Sequence, residues 1–462
     1  MLAKFKKKYI GDWDFYQKYL LLAIPMILQN AITNLVSFLD NIIVGQLGTE
    51  QMSGVAIVNQ LIFVYNLAIF GAVSAASIFG AQYFGKGNHK GHMYSFRFKL
   101  YATLLVTGGA ILLFLTKGSA LISLYLTDTV GNGATDLALQ YGLEYLAIMM
   151  VGLIPFAVNQ SYATNIKETG QTFIPMLASF VAVGTNAILD YLMIFGIGPF
   201  PELGVQGAAL ATVIARYIEA LIVVIWAHIH RGKNRYLEGA YTGFGIPLAE
   251  LKAILIKGFP LMMNEVLWAA GMTTVTQCYS VRGLNVVAGL NIASTITNLF
   301  NIVYLQLGSC ISIVVGQYLG AGKLEDAKDA DNKMIVFSVF CCVIMAALMF
   351  VVGGFFPGIY NTTEEIRELA TSFIAVSAII MPFCAFSHAS YFTLRSGGKT
   401  VVTFLFDSVF TWVIVVPAAY LLAHFTGLGI VSIYFLVQGT ELIKVIIGYL
   451  MVKSNVWVVQ MV

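Results

Sequence analysis

The chain has 462 residues, 58% of them hydrophobic and 11% charged, with a mean hydropathy of +0.82 and a formal net charge of +3. A soluble domain carries about a quarter charged residues, so this composition excludes an ordinary soluble protein and points to one embedded in a lipid bilayer. The small net charge gives no support to a nucleic-acid partner.

The N-terminus, "MLAKFKKKYIGDWDFYQKYLLLAIPMILQN", is basic and then apolar. It looks like the start of a secretory signal, but no small-residue cleavage site follows and the apolar run is too long. It is read as a retained first helix. Apolar runs then recur along the chain, each near the roughly 20 residues that a spanning helix needs. The first six are 18–46, 53–83, 95–116, 137–163, 172–196 and 204–229. A polar, basic stretch at 230–252 follows. Six more runs are 253–281, 286–319, 333–356, 366–391, 401–424 and 427–451. Short alternating segments do not recur, which argues against a β-barrel. The expected fold is an all-α membrane protein of twelve transmembrane helices. It divides into an N-terminal six-helix lobe (1–229), a cytoplasmic linker (230–252) and a C-terminal six-helix lobe (253–462). Five cysteines (Cys278, Cys310, Cys341, Cys342 and Cys384) lie in apolar runs without a C-x-x-C spacing and read as small hydrophobic fillers.

Lys and Arg set the orientation of such a chain. With the N-terminus inside, inner segments hold twenty of them, from Lys4, Lys6, Lys7 and Lys8 through Lys453, whereas outer segments hold Lys117, Arg282 and Arg367. That bias puts both termini in the cytoplasm. The same shift of 235 residues lays Pro25 on Pro260, Gly48 on Gly283, Gly85 on Gly320 and Gly87 on Gly322. "GAQYFGKG" returns as "VGQYLGAG", and "YATNIKETGQT" is echoed by "YFTLRSGGKT" at nearly the same offset. Six helices per copy is an even number, so the two lobes share one orientation about an axis along the membrane normal. Parallel repeats of that kind are a transporter architecture.

Polar residues fall on defined faces. In the first helix Asn30, Thr33, Asn34, Ser37, Asp40 and Asn41 recur every three to four residues, and Asn291, Thr295, Asn298 and Asn301 repeat the stripe in helix eight. A polar stripe within a bilayer must face other helices or water. In helix five Asn186 and Asp190 are i and i+4, on one face. Thr212 enters from helix six. Counted at about 1.5 Å per residue, Asp40, Asp190 and Thr212 lie roughly 9–12 Å from the outer ends of their helices. At that shared depth two carboxyls could hold a proton between them. With an Asn carbonyl and a Thr hydroxyl they also suit a hard cation such as Na⁺. These four residues are the candidate cation site.

At these residues the chain resembles the multidrug and toxic compound extrusion (MATE) family, over its whole length. Pro25 stands fifteen residues before Asp40, and Asn186-x-x-x-Asp190 with the Thr of "GAALAT" matches the N-lobe cation site of the DinF-like branch. The resemblance implies a non-enzymatic antiporter without an organic cofactor. Entry of H⁺ or Na⁺ would drive export of an organic, cationic or amphipathic compound by alternating access. Pro25 would be the hinge of helix one, since proline removes a helical hydrogen bond. The resemblance further implies a multi-pass protein of the cell (inner) membrane, with a monomer as the expected state. The chain departs from the NorM-like branch, whose acids lie in helices seven and ten. Here helix seven has Glu265, five residues after Pro260, with Asn264 beside it and Trp268 one turn on, and helix ten has no interior acid. Glu265, Asn264 and Trp268 form a second candidate site, for substrate or ion.

Other membrane-embedded charges have plainer readings. Arg216 with Glu219 and Glu441 with Lys444 are spaced i,i+3 and read as self-neutralising pairs, while Asp407 and Glu144 have no partner nearby in sequence. His388 reads as structural, and the sequon "NTT" at 361–363 as a chance match. The alternative function is a lipid-linked precursor flippase of the same superfamily. It would require a broad cationic groove, to which Arg216 alone, with a few helix-end lysines, could contribute.

Overall fold

The computed structural model describes residues 9–126, 134–243 and 245–462; within the first helix the side chains at 36–39, 41 and 42 lie outside the description, Ser37 and Asn41 of the polar stripe among them. Lys4, Lys6, Lys7 and Lys8 also lie outside it. Among the described residues every regular element is helical. In chain order they are α1 (Trp13–Gly45), α2 (Thr49–Lys86), α3 (His89–Ser123), α4 (Ala134–Glu168), α5 (Phe173–Ile194), α6 (Gly204–Ile229), α7 (Leu248–Ser280), α8 (Leu284–Gly320), α9 (Leu324–Gly353), α10 (Glu364–Ser396), α11 (Thr400–Phe425) and α12 (Ile430–Lys453). Among the described residues α2 to α12 are each long and apolar enough to cross a bilayer. The all-helical expectation holds, and each of these helices contains or closely matches the run expected for it.

The chain forms two compact units. One consists of Ile24–Gly80 and His89–Leu251, the other of Met1–Ala23, Ala81–Asn88 and Lys252–Val462. For brevity they are the N-terminal and C-terminal units. In the N-terminal unit α6 packs on α4 and α5, and α3 packs on α4. Its core includes Val58, Ile62, Tyr65, Leu153, Ile194 and Val213. In the C-terminal unit α8, α9 and α10 pack on one another and α10 also packs on α12, around a core that includes Cys342, Met349, Phe373 and Ile433. Burying aliphatic and aromatic side chains in this way leaves the polar groups of each helix to find partners or a polar cavity. On α8 Asn291, Thr295 and Asn298 are exposed, whereas Ile292, Ala293, Ile296 and Phe300 are buried. The stripe seen in the sequence is therefore the face turned away from the core.

The internal repeat has a physical basis in two places. The glycines after α2 and α8, Gly87 and Gly322, have φ of 73° and 72°, and those before the same helices, Gly48 and Gly283, have φ of 139° and 119°. An L side chain is strained at such angles. The second place lies in the C-terminal unit, where the end of α2 meets the end of α8. A Cβ on Gly85 would sit 1.9 Å from the carbonyl oxygen of Gln317, and one on Gly320 would sit 1.9 Å from that of Gln82. The contact is reciprocal under the 235-residue shift. Only glycine lets the two backbones come so close. Gln82 is held there too, donating to the Ser396 carbonyl (2.9 Å) and accepting from the Met461 N–H (2.8 Å).

Candidate functional site

The four residues of the candidate cation site come from α1, α5 and α6 of the N-terminal unit, and the structure brings them together. Asp190 and Asn186 lie one turn apart on α5 and are 1% and 5% exposed. Asp40 on α1 is half-buried. The Asp40 and Asp190 carboxyls lie close enough to interact, and Asp190 also lies beside the Asn186 side chain. Asn186 Nδ2 in turn donates to Thr212 Oγ1 on α6 at 3.4 Å. Two carboxylates have only acceptors, so side by side they need a proton or a cation between them to be satisfied. Oδ1 of each aspartate is buried and has no hydrogen-bond partner among the described residues. These oxygens, the Asn186 carbonyl and the Thr212 hydroxyl make an oxygen-rich set fit for a proton or a hard cation. Tyr145 on α4 lies within electrostatic reach of both aspartates and donates to Asn59 Oδ1 at 3.4 Å. Sequence patterning had not singled out Tyr145, because an aromatic at helical spacing reads as core.

Below this site, eleven residues back along α1 and α5, a second polar layer occupies the same unit. Gln29 Nε2 donates to Ser179 Oγ at 2.7 Å, and Ser179 Oγ donates to Glu219 Oε1 at 2.5 Å. Glu219 also lies beside the Asn159 side chain. Arg216 does not close onto Glu219 as the i,i+3 reading expected. Its Nη1 points to the Gly152 carbonyl (3.3 Å), and its guanidinium lies 5.1 Å over the Phe156 ring. Near the end of α4, Lys99 bonds Glu168 Oε1 at 2.5 Å and also Asn165, while His92 Nε2 lies 3.3 Å from Glu168 Oε2. Lys99, one of the twenty inner-segment Lys and Arg residues of the orientation count, is fully buried. Gly80 makes room for this ion pair, for a Cβ there would sit 2.0 Å from Glu168 Oε2. Glu144, without a partner in sequence, accepts from Gln140 (2.9 Å) and Gln206 (3.2 Å).

The C-terminal candidates separate in the structure. Asn264 is buried at 2% exposure, Glu265 is half-buried and Trp268 is 38% exposed. Asn264 Nδ2 donates to Asp407 Oδ2 at 3.0 Å, and Lys444 Nζ lies 2.6 Å from Asp407 Oδ1. Ser408 donates its hydroxyl to Asn264 Oδ1 at 2.8 Å, and its backbone N–H reaches the same oxygen at 3.3 Å. Residues Leu405–Val409, which carry Asp407 and Ser408, form a π-helical turn. The expected Glu441–Lys444 pair is thus replaced by Asp407–Lys444. Asp407 is 37 residues from Lys444 in sequence, and helical spacing cannot reveal such a partner. Glu265 lies within electrostatic reach of Arg395, Asp407 and Tyr391. His388 bonds the Cys384 carbonyl of its own helix at 2.9 Å and lies against Tyr304, in line with its structural reading.

Comparison with known proteins follows the same division. The MatE family model matches this chain twice, over residues 25–192 and 260–421, one match to each copy of the repeat. The probable multidrug resistance protein NorM of Thermotoga maritima is 23% identical over 89% of this chain and 86% of its own length. The NorM protein of Halalkalibacterium halodurans is 24% identical over 89% and 88%. Among solved structures, a MOP superfamily transporter from Pyrococcus furiosus superposes with a TM-score of 0.85 at 20% identity, covering 96% of each chain. A MATE protein in a bent conformation gives the same score and identity over 96% of this chain and 95% of that one.

Proposed function

The chain belongs to the MatE family of membrane transporters, and from that premise we propose that it is an antiporter. It exchanges H⁺ or Na⁺ for an organic, cationic or amphipathic compound and exports that compound by alternating access. Its relatives carry the description of multidrug resistance proteins, which supports an organic cargo. The observation that carries the ion-coupled reading is the Asp40–Asp190 carboxyl pair with Asn186 and Thr212 beside it. Intramembrane carboxyls are costly, at about 2.5–3.5 kcal/mol each on insertion scales. A site that gains a proton or cation recovers part of that cost, and one that loses it must rearrange. Occupancy and conformation are coupled in this way. Pro25 on α1, between the second polar layer and the end of the helix, is the hinge of this rearrangement, because the missing N–H lets the helix bend there.

Under the same reading the coupling ion is the sole cofactor. The protein works as a monomer in the cell membrane, with both termini cytoplasmic, as the charge bias of its loops requires. Glu265 and Trp268 meet the cargo, and Asn264 holds Asp407 in place. The test is reconstitution in lipid vesicles with each ion gradient imposed separately while efflux of a cationic dye is followed. The expected result is uphill dye movement under one gradient and its loss in Asp40→Asn, with normal insertion of the variant. Coupled efflux by Asp40→Asn at the wild-type rate would overturn the ion site. Movement of lipid-linked sugars without any dye efflux would assign the flippase function instead.

A further inference from the structure

The second polar layer of the N-terminal unit is built differently from its counterpart in the C-terminal unit. The repeat places Asn264 235 residues after Gln29, each four residues beyond the helix proline. The later part of the repeat, aligned by Thr172 and Thr400, sets Asp407 opposite Ser179 and Lys444 opposite Arg216, each 228 residues apart. In the C-terminal unit these positions form a closed set: Asn264 and Lys444 each bond Asp407, and both Asp407 oxygens are filled. In the N-terminal unit the carboxylate has moved to Glu219, one turn along α6 from Arg216, and the set is open. Asn159 is 2% exposed and turned toward Glu219, yet its Oδ1 has no partner among the described residues. Gln29 Oε1 is buried and likewise without a partner among them.

We propose that Glu219, with Ser179, Asn159 and Gln29 as its shell, is a second proton-binding site of the N-terminal unit, separate from the Asp40–Asp190 pair. Every hydrogen bond identified at Glu219 points toward its carboxylate. The shell nevertheless contains two buried amide oxygens that lack donors. Protonation gives Glu219 an O–H donor without removing its remaining acceptor capacity, which is what an acceptor-rich shell lacks. A buried acceptor left unpaired is costly, and a Glu219 O–H can supply a donor to one of these oxygens, which offsets part of what the Ser179 bond contributes to the carboxylate form. No bond to carbon forms or breaks; one proton moves from water to a Glu219 oxygen.

Arg216 on α6 and Lys167 on α4 lie within electrostatic reach of Glu219, while α1 and α5 contribute the neutral Gln29 and Ser179. Arg216 lies between the two layers, four residues from Thr212 and three from Glu219. A fixed guanidinium there disfavours any added positive charge at Glu219, so the test must separate a proton from a metal ion directly. The two layers are separated by seven residues on α6 and eleven on α1 and α5, roughly 10–16 Å at helical rise. That distance is too long for one shared proton, so the sites fill separately.

The site rests on the proton-or-sodium reading above, and infrared difference spectroscopy separates the two. The full-length protein in lipid is stepped from mildly alkaline to mildly acidic pH in sodium-free buffer, and the carbonyl bands of protonated carboxyls are recorded. Expected is a band that is lost in Glu219→Gln, moved in Glu219→Asp and in Asn159→Ala, and kept in Asp40→Asn. A Glu219→Gln spectrum identical to wild type overturns the second site, as does a Glu219 band that appears at constant pH only on adding NaCl. Dye efflux in Asp40→Asn tests the first site separately, so either idea can fail without the other. A merely structural Glu219 would leave no pH-dependent band of its own.

Discussion

The two units solve the same problem, a charge inside a membrane, in opposite ways. In the C-terminal unit Asp407 is neutralised in place: Lys444 takes one oxygen at 2.6 Å and Asn264 the other at 3.0 Å, with Ser408 closing the ring from a π-helical turn. The matching layer of the N-terminal unit has no such closure, although Glu168 near the end of α4 is closed by Lys99 and His92. Asp40 and Asp190 face each other, and Arg216, at the repeat position of Lys444, is spent on a backbone carbonyl and an aromatic ring. One unit has a completed ion pair, which is a structural element. The other also has acids with unfilled oxygens, Asp40 Oδ1 and Asp190 Oδ1, to which the proposed cation would make its bonds. Duplication thus supplied two frames, and the placement of one cation decides which frame is inert.

The comparison can be broken most severely at the acids. Asp40→Asn and Asp190→Asn should each lower gradient-driven dye efflux by tenfold or more, about 1.4 kcal/mol or above in coupling. Melting temperature in detergent should stay close to wild type, because Asn keeps the shape and removes the charge. The same substitution in the other unit should reverse the pattern, and Asp407→Asn with Lys444→Met should transport nearly normally. Lys444→Met alone leaves a buried carboxylate without its cation and should cost about 3–5 kcal/mol of stability. The double variant should recover most of that loss in a thermal-unfolding cycle. If the single and double variants melt alike, the ion pair is not the closed element described.

A smaller effect tests the repeat itself. Gly85→Ala and Gly320→Ala each drive a methyl into a backbone carbonyl, and each should cost about 1–3 kcal/mol by overpacking. The two losses should be similar, because the contact is reciprocal; a large inequality would mean that only one side of it matters. The smallest expected change is Thr212→Val. Its bond from Asn186 is 3.4 Å long, so about 0.5–1 kcal/mol is at stake. Efflux should fall by a factor of about two to five, with the affinity for the coupling ion weakened by the same factor.

Several of these features were legible along the chain. Period and length made the helices readable, and the 235-residue shift picked out Gly85 and Gly320 before their contact was known. Asp40, Asp190 and Thr212 could be matched in depth because helical rise is constant, and Asn186 joined them by its i,i+4 spacing to Asp190. Ion pairing was not legible. The i,i+3 spacing favoured Arg216 with Glu219 and Glu441 with Lys444, and in the structure Arg216 bonds the Gly152 carbonyl and Lys444 pairs with Asp407. Spacing identifies which side chains share a face, but not whether a partner on another helix offers a shorter path. Lys99 shows the same limit: it is counted as a topology charge in sequence, yet it is buried against Glu168 and Asn165.

The sequence by itself determined that this chain lives in a bilayer, that it is a duplicated bundle of helices, and which positions within them are polar. Those properties follow from composition, from periodicity and from the backbone limits on glycine and proline, all of which are local. The tertiary structure alone decided which polar groups are satisfied. That depends on distances of a few ångströms between residues that can lie 150 or more positions apart, such as Gln29 and Ser179. In a medium with no water to complete a hydrogen bond, those distances separate a sealed ion pair from an open site.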